Sequence, residues 1–291
     1  MPDAIVDADL LRIAAGPGAM HVERYGQGGE AVVLLHGFGT SSFLWRGVAP
    51  ALAAEGYTAY AIDLLGYGES DRPLEADYSI AAQTEYLERA LGVLRLQRVT
   101  LVGIDIGGGI ALRLALSHET RVSRLVLINT VAFEECPGSD VRALLRGTVR
   151  FAFRVSRGVL GAAPLLREVL EGGVASPAHM PPRLMARYLA PYVGGEGVTH
   201  LVTLARALRA EDVEVLPLSN VRVPTLVIWG EEDRYLDSGL PERVQGAIPD
   251  SRLVRLPDVA RLVPEEAPET LNRLLLEFMR IRTVGTASES C

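Results

Sequence analysis

Val99-Thr100-Leu101-Val102-Gly103-Ile104-Asp105-Ile106-Gly107-Gly108 carries a short apolar run into an aspartate set between glycines, and Ile110-Ala111-Leu112-Arg113-Leu114-Ala115-Leu116 follows with the composition of a helix. A strand, a tight turn bearing one polar residue, then a helix is the setting of a nucleophile elbow. The common pattern there is G-x-S-x-G. Here the central residue is Asp105, so covalent chemistry would start from a carboxylate and not from a hydroxyl. Asp105 is also a favoured helix N-cap residue. Gly103 and Gly107 favour the elbow over the simple cap, because a strained turn needs small neighbours.

Outward from this point, strands and helices alternate. Met20 to Tyr25 reads as a strand, and Ala31 to Leu35 as a buried strand ending at His36-Gly37-Phe38-Gly39. Leu44 to Glu55 reads as a helix and Thr58 to Asp63 as a strand. The turn Asp63-Leu64-Leu65-Gly66-Tyr67-Gly68-Glu69-Ser70 follows, then a helix over Ile80 to Leu94. The elbow helix is expected over Gly108 to His118 and the next strand over Val122 to Asn129. Continuous apolar strands separated by helices imply an α/β fold with a mostly parallel sheet covered on both faces. Residues 133–214 break the pattern: helical stretches such as Val141 to Phe153, Ala163 to Leu170, Pro182 to Leu189 and Val198 to Leu208 are separated by Gly-Gly and Pro-Pro turns. Alternation resumes with a strand at Thr225 to Trp229, a helix at Pro241 to Ile248, a strand at Arg252 to Leu256 and a helix at Pro268 to Met279. The expected organisation is therefore a core of residues 1–132 and 215–291 with a helical insertion at 133–214. The polar tail from Thr283 reads as loose.

Composition narrows the function. The chain has 291 residues, 48% hydrophobic and 22% charged, as expected of a globular protein. A net charge of -7 without a basic patch argues against a nucleic-acid partner. No apolar run approaches the roughly 20 residues that span a bilayer. There is no basic n-region at the start, and of the two cysteines Cys291 ends the chain, so a cytoplasmic setting without disulfides is expected. All 29 basic residues are arginine, which excludes lysine Schiff-base chemistry and suits a GC-rich bacterial source, where specialised metabolism is one setting. No cofactor or metal is implied, and the expected state is a monomer or homodimer.

In this order and spacing, His36-Gly37-Phe38-Gly39, the Asp63–Ser70 turn, the Asp105 elbow and Trp229-Gly230-Glu231-Glu232-Asp233 resemble the α/β-hydrolase fold superfamily over about residues 10–280. The aspartate at the elbow is similar to the epoxide hydrolase and haloalkane dehalogenase branch. The resemblance implies an inserted helical cap, an attack by Asp105 on a carbon to give an alkyl-enzyme ester, and a histidine with an acid to activate water. It places the acid at Asp233 and the oxyanion-hole N–H groups at Phe38 and Ile106. The N–H of Ile106 would stand at a helix start, where partial positive charge collects. His36 would bond around its own loop.

The histidine is missing. Asp258-Val259-Ala260-Arg261-Leu262-Val263-Pro264-Glu265-Glu266 places Ala260-Arg261 where the resemblance implies Gly-His. The five histidines are His21, His36, His118, His179 and His200, and none follows residue 200. Arginine stays protonated and cannot act as a base at neutral pH. Arg261 is instead open to pairing with Asp233 or with Asp105. Pairing with Asp105 would lower that carboxyl. A pairing with Asp233 in an apolar pocket would leave desolvation to raise it. Ile106 and Phe38 stand where dehalogenases of this kind carry a halide-binding Trp and an Asn. Tyr188 and Tyr192, four apart, are candidates for the substrate-binding cap tyrosines of epoxide hydrolases, although Pro191 between them would end the helix first. His200 is a candidate for a pocket residue.

Three functions follow. The first is a non-hydrolytic enzyme acting on an apolar small molecule by cyclisation, addition or C–C bond formation, with Asp105 as acid or base and Arg261 stabilising an anion. The second is an epoxide hydrolase-like hydrolase with an unconventional base such as His200 or a water held by Asp233. The third is a ligand-binding protein without catalysis.

Overall fold

The computed structural model describes residues 7–146 and 163–281. Most of the helix expected over Val141 to Phe153, together with the tail from Thr283 and Cys291, lies outside the described residues. Eight strands form one sheet: β1 (Asp9–Ala14), β2 (Ala19–Tyr25), β3 (Ala31–Leu35), β4 (Thr58–Ile62), β5 (Val99–Ile104), β6 (Val122–Ile128), β7 (Thr225–Gly230) and β8 (Ser251–Leu256). Their spatial order is β1-β2-β4-β3-β5-β6-β7-β8. β1 and β2 are antiparallel to each other, and β2 is antiparallel to β4; the pairings from β4 to β8 are all parallel. The strands β4, β5 and β7 are buried at every position, which explains their unbroken apolar sequence.

The flanking helices are α1 (Ala49–Ala54), α2 (Ile80–Val93), α3 (Ile106–Ser117), α9 (Leu240–Ala247) and α11 (Pro268–Arg280). Between β6 and β7 no strand occurs among the described residues; the chain there forms α4 (Ser139–Leu144), α5 (Ala163–Gly172), α6 (Pro182–Leu189), α7 (Gly194–Ala207) and α8 (Glu211–Glu214). A short helix, α10 (Val263–Glu266), precedes α11. Helix α11 shows how one face is used: Leu271, Leu274, Leu275 and Phe278 recur at helical spacing and are all buried.

Three departures from the sequence reading have physical causes. Leu44 to Glu55 is not one helix but a 3₁₀ turn, Ser42–Trp45, followed by α1. The ring of Pro50 is tolerated in the first turn of α1 but would clash within a continuous helix. Strand β1 escapes the sequence because it is an exposed edge with no apolar alternation. Helix α3 starts at Ile106, two residues earlier than expected, and so takes in Gly107 as well as Gly108. These glycines are poor helix formers, but packing requires them. A Cβ on Gly107 would lie 2.5 Å from the Leu35 carbonyl oxygen, and one on Gly108 would lie 2.1 Å from Thr130 Oγ1.

The chain turns from β3 to β4 on one side of the sheet and then returns to β5 on the other side of β3. The carboxyl ends of β3 and β5 therefore diverge at a crevice, the place where open parallel sheets hold ligands. Phe38 follows β3 and Asp105 follows β5.

Two glycines test this packing. Gly107→Ala meets backbone at under 3 Å and is expected to cost roughly 2–4 kcal/mol of unfolding free energy. Gly92→Ala in α2 meets nothing within 4 Å and is expected to gain about 0.5–1 kcal/mol. Urea unfolding measures both; equal effects would contradict the described elbow packing.

Candidate active site

Asp105 has φ 55° and ψ -120°, a backbone conformation that costs a non-glycine residue of order 1–3 kcal/mol. It is held there by its neighbours. Its N–H donates to the Ile128 carbonyl at 3.2 Å, and its own carbonyl accepts from Gly108 and Gly109 at 3.0 and 3.3 Å and from Val131 at 3.3 Å. The turn lifts the Asp105 side chain toward the loop after β3. A Cβ on Gly37 would lie 2.8 Å from the Asp105 Cβ, so the carboxylate fits only against a glycine.

Both carboxylate oxygens of Asp105 are engaged. Oδ2 accepts the Phe38 N–H at 2.8 Å. Oδ1 accepts from Arg261 Nη2. Arg261 Nη1 donates to Asp140 Oδ2 at 2.8 Å. Side-chain exposure is 5% for Asp105 and Arg261 and 2% for Asp140, so the three charges form one buried cluster. The guanidinium also lies over the Tyr235 ring, 5.5 Å from its centroid.

Arg261 is placed by the residues on either side of it. Ala260 N–H donates to Glu266 Oε2 at 2.7 Å, and Leu262 N–H donates to the Gly173 carbonyl at 2.8 Å. The other oxygen of Glu266 accepts Ala175 N–H at 2.7 Å. One buried carboxylate thus ties the loop after β8 to the segment after α5. Asp140 is placed by Ser139, whose N–H and hydroxyl donate to the Tyr235 carbonyl at 3.1 and 3.0 Å.

The electrostatics are dominated by burial. Desolvation raises the Asp105 carboxyl above its ordinary value; Arg261 opposes this, and Asp140 adds to it. The pair with Arg261 forms and acts to lower the carboxyl, as expected of it, while burial and the second carboxylate act to raise it and prevail. Burial alone would lower the Arg261 guanidinium, but Asp105, Asp140 and Asp233 together hold it above its ordinary range. Arg261 remains a cation at every accessible pH.

The other sequence candidates fall into different places. Asp233 makes no ion pair with Arg261; it accepts from Asn129 Nδ2 at 2.9 Å and from the Tyr235 N–H at 2.8 Å, and acts on Arg261 only through its field. His36 is structural and not a ligand contact. It is wholly buried, its Nδ1 donates to the Gly37 carbonyl at 2.8 Å, and its Nε2 accepts the Leu64 N–H at 3.0 Å. That pattern fixes a neutral ring, and burial pushes its pKa down. His200 donates from Nε2 to the Gly66 carbonyl at 2.6 Å and packs on Tyr78; it does not touch Asp105. Tyr188 and Tyr192 do not share a helix face, because α6 ends at Leu189. The Tyr188 hydroxyl donates to Glu265, itself paired with Arg46 at 2.5 Å, so Tyr188 is a tether of the helical segment. Among the described residues, the Tyr192 hydroxyl is buried without a hydrogen-bond partner, as is that of Tyr67, which stands edge-on to His36 and Phe38. Ile106 opens α3, where the first N–H groups have no intrahelical acceptor.

Asp140, Glu266 and Tyr67 were not singled out by sequence. Asp140 lies in a helical stretch with no motif around it, and only the fold brings it to Arg261. Around the cluster is a cavity of about 20 Å³, lined in part by Phe38, Asp105, Asp140, Leu170, Arg261 and Leu262. It admits one water-sized group. No group of three or more His, Cys, Asp or Glu side chains suited to a metal occurs among the described residues. No described helix is long and apolar enough to cross a membrane.

The α/β hydrolase fold family profile matches residues 30–268. The chain belongs to the α/β-hydrolase fold family. It is 33% identical over 235 residues to a haloalkane dehalogenase of Mycobacterium marinum, covering 75% of each chain. It is 28% identical over 273 residues to a 2-hydroxy-6-oxononadienedioate/2-hydroxy-6-oxononatrienedioate hydrolase of Burkholderia vietnamiensis, covering 90% of this chain and 91% of the relative. Its fold matches that of the epoxide hydrolase CorEH with a TM-score of 0.80 at 21% identity, over 94% of this chain and 99% of the other.

The upward shift of Asp105 has a measurable sign. A carboxyl raised on folding favours the protonated form, and the stability it contributes is lost as pH rises through the raised value. Relative to wild type, the Tm of Asp105→Asn is expected to climb as pH rises from the ordinary carboxylate range, about 4, and then to level off. Parallel melting curves across that window would show that Asp105 is not elevated.

Proposed function

We propose that this α/β-hydrolase-fold protein is an enzyme that performs non-hydrolytic acid–base chemistry on an apolar small molecule, with Asp105 exchanging the proton and Arg261 stabilising the anion that forms. One observation carries this reading: Arg261 bridges Asp105 and Asp140 while the Phe38 N–H takes the other Asp105 oxygen. An alkyl ester on Asp105 would lack the base expected beside it, since Arg261 cannot accept a proton and His36 and His200 bond elsewhere. A fixed cation beside a carboxyl of raised pKa is instead suited to removing a proton next to a carbonyl and holding the enolate. Cyclisation, addition and C–C bond formation all pass through such an anion.

The segment 133–214 is taken as the cap. It closes the crevice with Val169, Leu170 and Gly173, and with Leu166, whose Cδ1 would lie 2.5 Å from a Cβ on Gly39. Val169, Leu170 and Leu262 give the cavity an apolar wall. A cavity of about 20 Å³ holds a single functional group, so a whole substrate enters only when α5 withdraws. The closed ion pairing of the cluster also supports a second reading, a protein without turnover in which Asp105, Arg261 and Asp140 are purely structural.

Proton exchange separates the two. In D₂O, the wild type is expected to accelerate α-deuteration of an apolar ketone such as 2-tetralone, followed by NMR. Asp105→Asn should lower the rate by about 10²–10⁴-fold, the usual contribution of a general base. Equal rates for wild type and Asp105→Asn would sink the enzymatic reading. Sustained hydrolysis of styrene oxide by the wild type would contradict its non-hydrolytic part.

A further inference from the structure

The carboxyl end of α5 is weakly closed by its own sequence. It runs out at Gly172-Gly173, glycine is a poor helix former, and no basic residue stands in the last turn to meet the free carbonyls. Part of the closure comes from outside the helix. The Tyr235 hydroxyl donates to the Glu168 and Val169 carbonyls, at 3.2 and 3.1 Å. Burial pushes the Tyr235 phenol up to about 12, so it stays a donor at neutral pH. A Cβ on Gly172 would lie 1.8 Å from the Tyr235 hydroxyl oxygen, so this approach is possible only at a glycine.

Both partners reach the candidate site. The Tyr235 ring lies against the Arg261 guanidinium, and its carbonyl accepts from Ser139, next to Asp140. From α5, Leu166 packs over Gly39 and Leu170 lines the cavity. These two leucines are four apart and both buried, so they share one face of the helix. Past Gly172 the chain is held by different contacts. The Gly173 carbonyl accepts the Leu262 N–H at 2.8 Å, and Ala175 N–H donates to Glu266 at 2.7 Å.

We propose that Tyr235 is the latch of α5. Its hydroxyl caps the helix from outside and holds Leu166 and Leu170 in the crevice. When that contact breaks, α5 withdraws by bending at Gly172-Gly173, while the contacts at Leu262 and Glu266 stay closed. This rests on the reading that α5 must withdraw before a substrate enters, and adds to it the contact released and the point of bending. Because the latch residue also lies against Arg261, one side chain sets the position of both the covering helix and the cation.

Amide hydrogen exchange of the full chain, read by mass spectrometry, tests the latch. Tyr235→Phe removes the hydroxyl and keeps the ring. Exchange across residues 166–172 is expected to quicken about three- to tenfold, the worth of one hydrogen bond. Peptides holding β5, Leu262 and Ala175 should be unchanged, because the opening is local. Gly172→Ala separates the latch from helix propensity. Alanine is the better helix former, so propensity alone would slow exchange in α5. The collision with the Tyr235 hydroxyl predicts that it quickens. Unchanged exchange across 166–172 in Tyr235→Phe overturns the latch, and so does slower exchange in Gly172→Ala. An equal rise in β5 would mark a general loss of stability and overturns it as well. Loosening that spreads to Leu262 and Ala175 overturns the bend at Gly172-Gly173. Ketone deuteration by Asp105 is a separate readout, so the acid–base reading stands or fails independently of these outcomes.

Discussion

Arg261 sits between Asp105 and Asp140 with almost no access to water, and most of what is distinctive in this molecule is arranged around that contact. Removing one partner of such a cluster leaves a buried charge uncompensated, at a cost of roughly 3–5 kcal/mol. The elbow supplies Asp105 in a strained conformation, the loop after β8 supplies Arg261, and α4 supplies Asp140. Three separate parts of the chain therefore meet at one guanidinium. Glu266 fixes the Arg261 loop from one side, and Ser139 fixes α4 from the other through the Tyr235 carbonyl. Tyr235 in turn lies against the guanidinium. The cluster is thus also a link between the sheet and the helices that cover it.

The same contact changes what an α/β-hydrolase elbow can do. Here the loop after β8 brings Arg261 to the elbow residue, and the proposed function turns on that side chain. A histidine there can accept a proton from water. Arginine cannot, but it holds a permanent positive charge against whatever anion forms in the crevice. Burial raises Asp105 despite that charge, because the desolvation cost is larger than the attraction and Asp140 adds repulsion. In the proposed function, a carboxyl raised by burial beside a permanent cation would separate the roles of proton carrier and electrostatic partner by environment.

The alternation of strands and helices, the elbow turn and the loop bearing Arg261 were legible in the sequence because each has a local signature. The parallel strands are continuous apolar runs, the elbow has glycines at fixed offsets, and the Pro-Glu-Glu segment marks the loop before α11. Other features were not legible. The partner of Arg261 is chosen by packing, and nothing in Glu231-Glu232-Asp233 reveals that Asn129 and the Tyr235 N–H claim the Asp233 carboxylate. Asp140 has no motif and becomes a site residue only through a contact 121 positions away in sequence. Tyr188 looks like a pocket residue by type, but it spends its hydroxyl on Glu265. Polar side chains declare their residue type in sequence and their partners only in the fold.

A double-mutant cycle on Asp105→Asn and Arg261→Gln, read by urea unfolding at neutral pH, tests the central contact most directly. The structure predicts that the two changes are strongly coupled, by roughly 1–3 kcal/mol, since each removes the partner of the other. Additivity within about 0.5 kcal/mol would show that Asp105 and Arg261 do not interact, and the acid–base site built on their contact would fall with it.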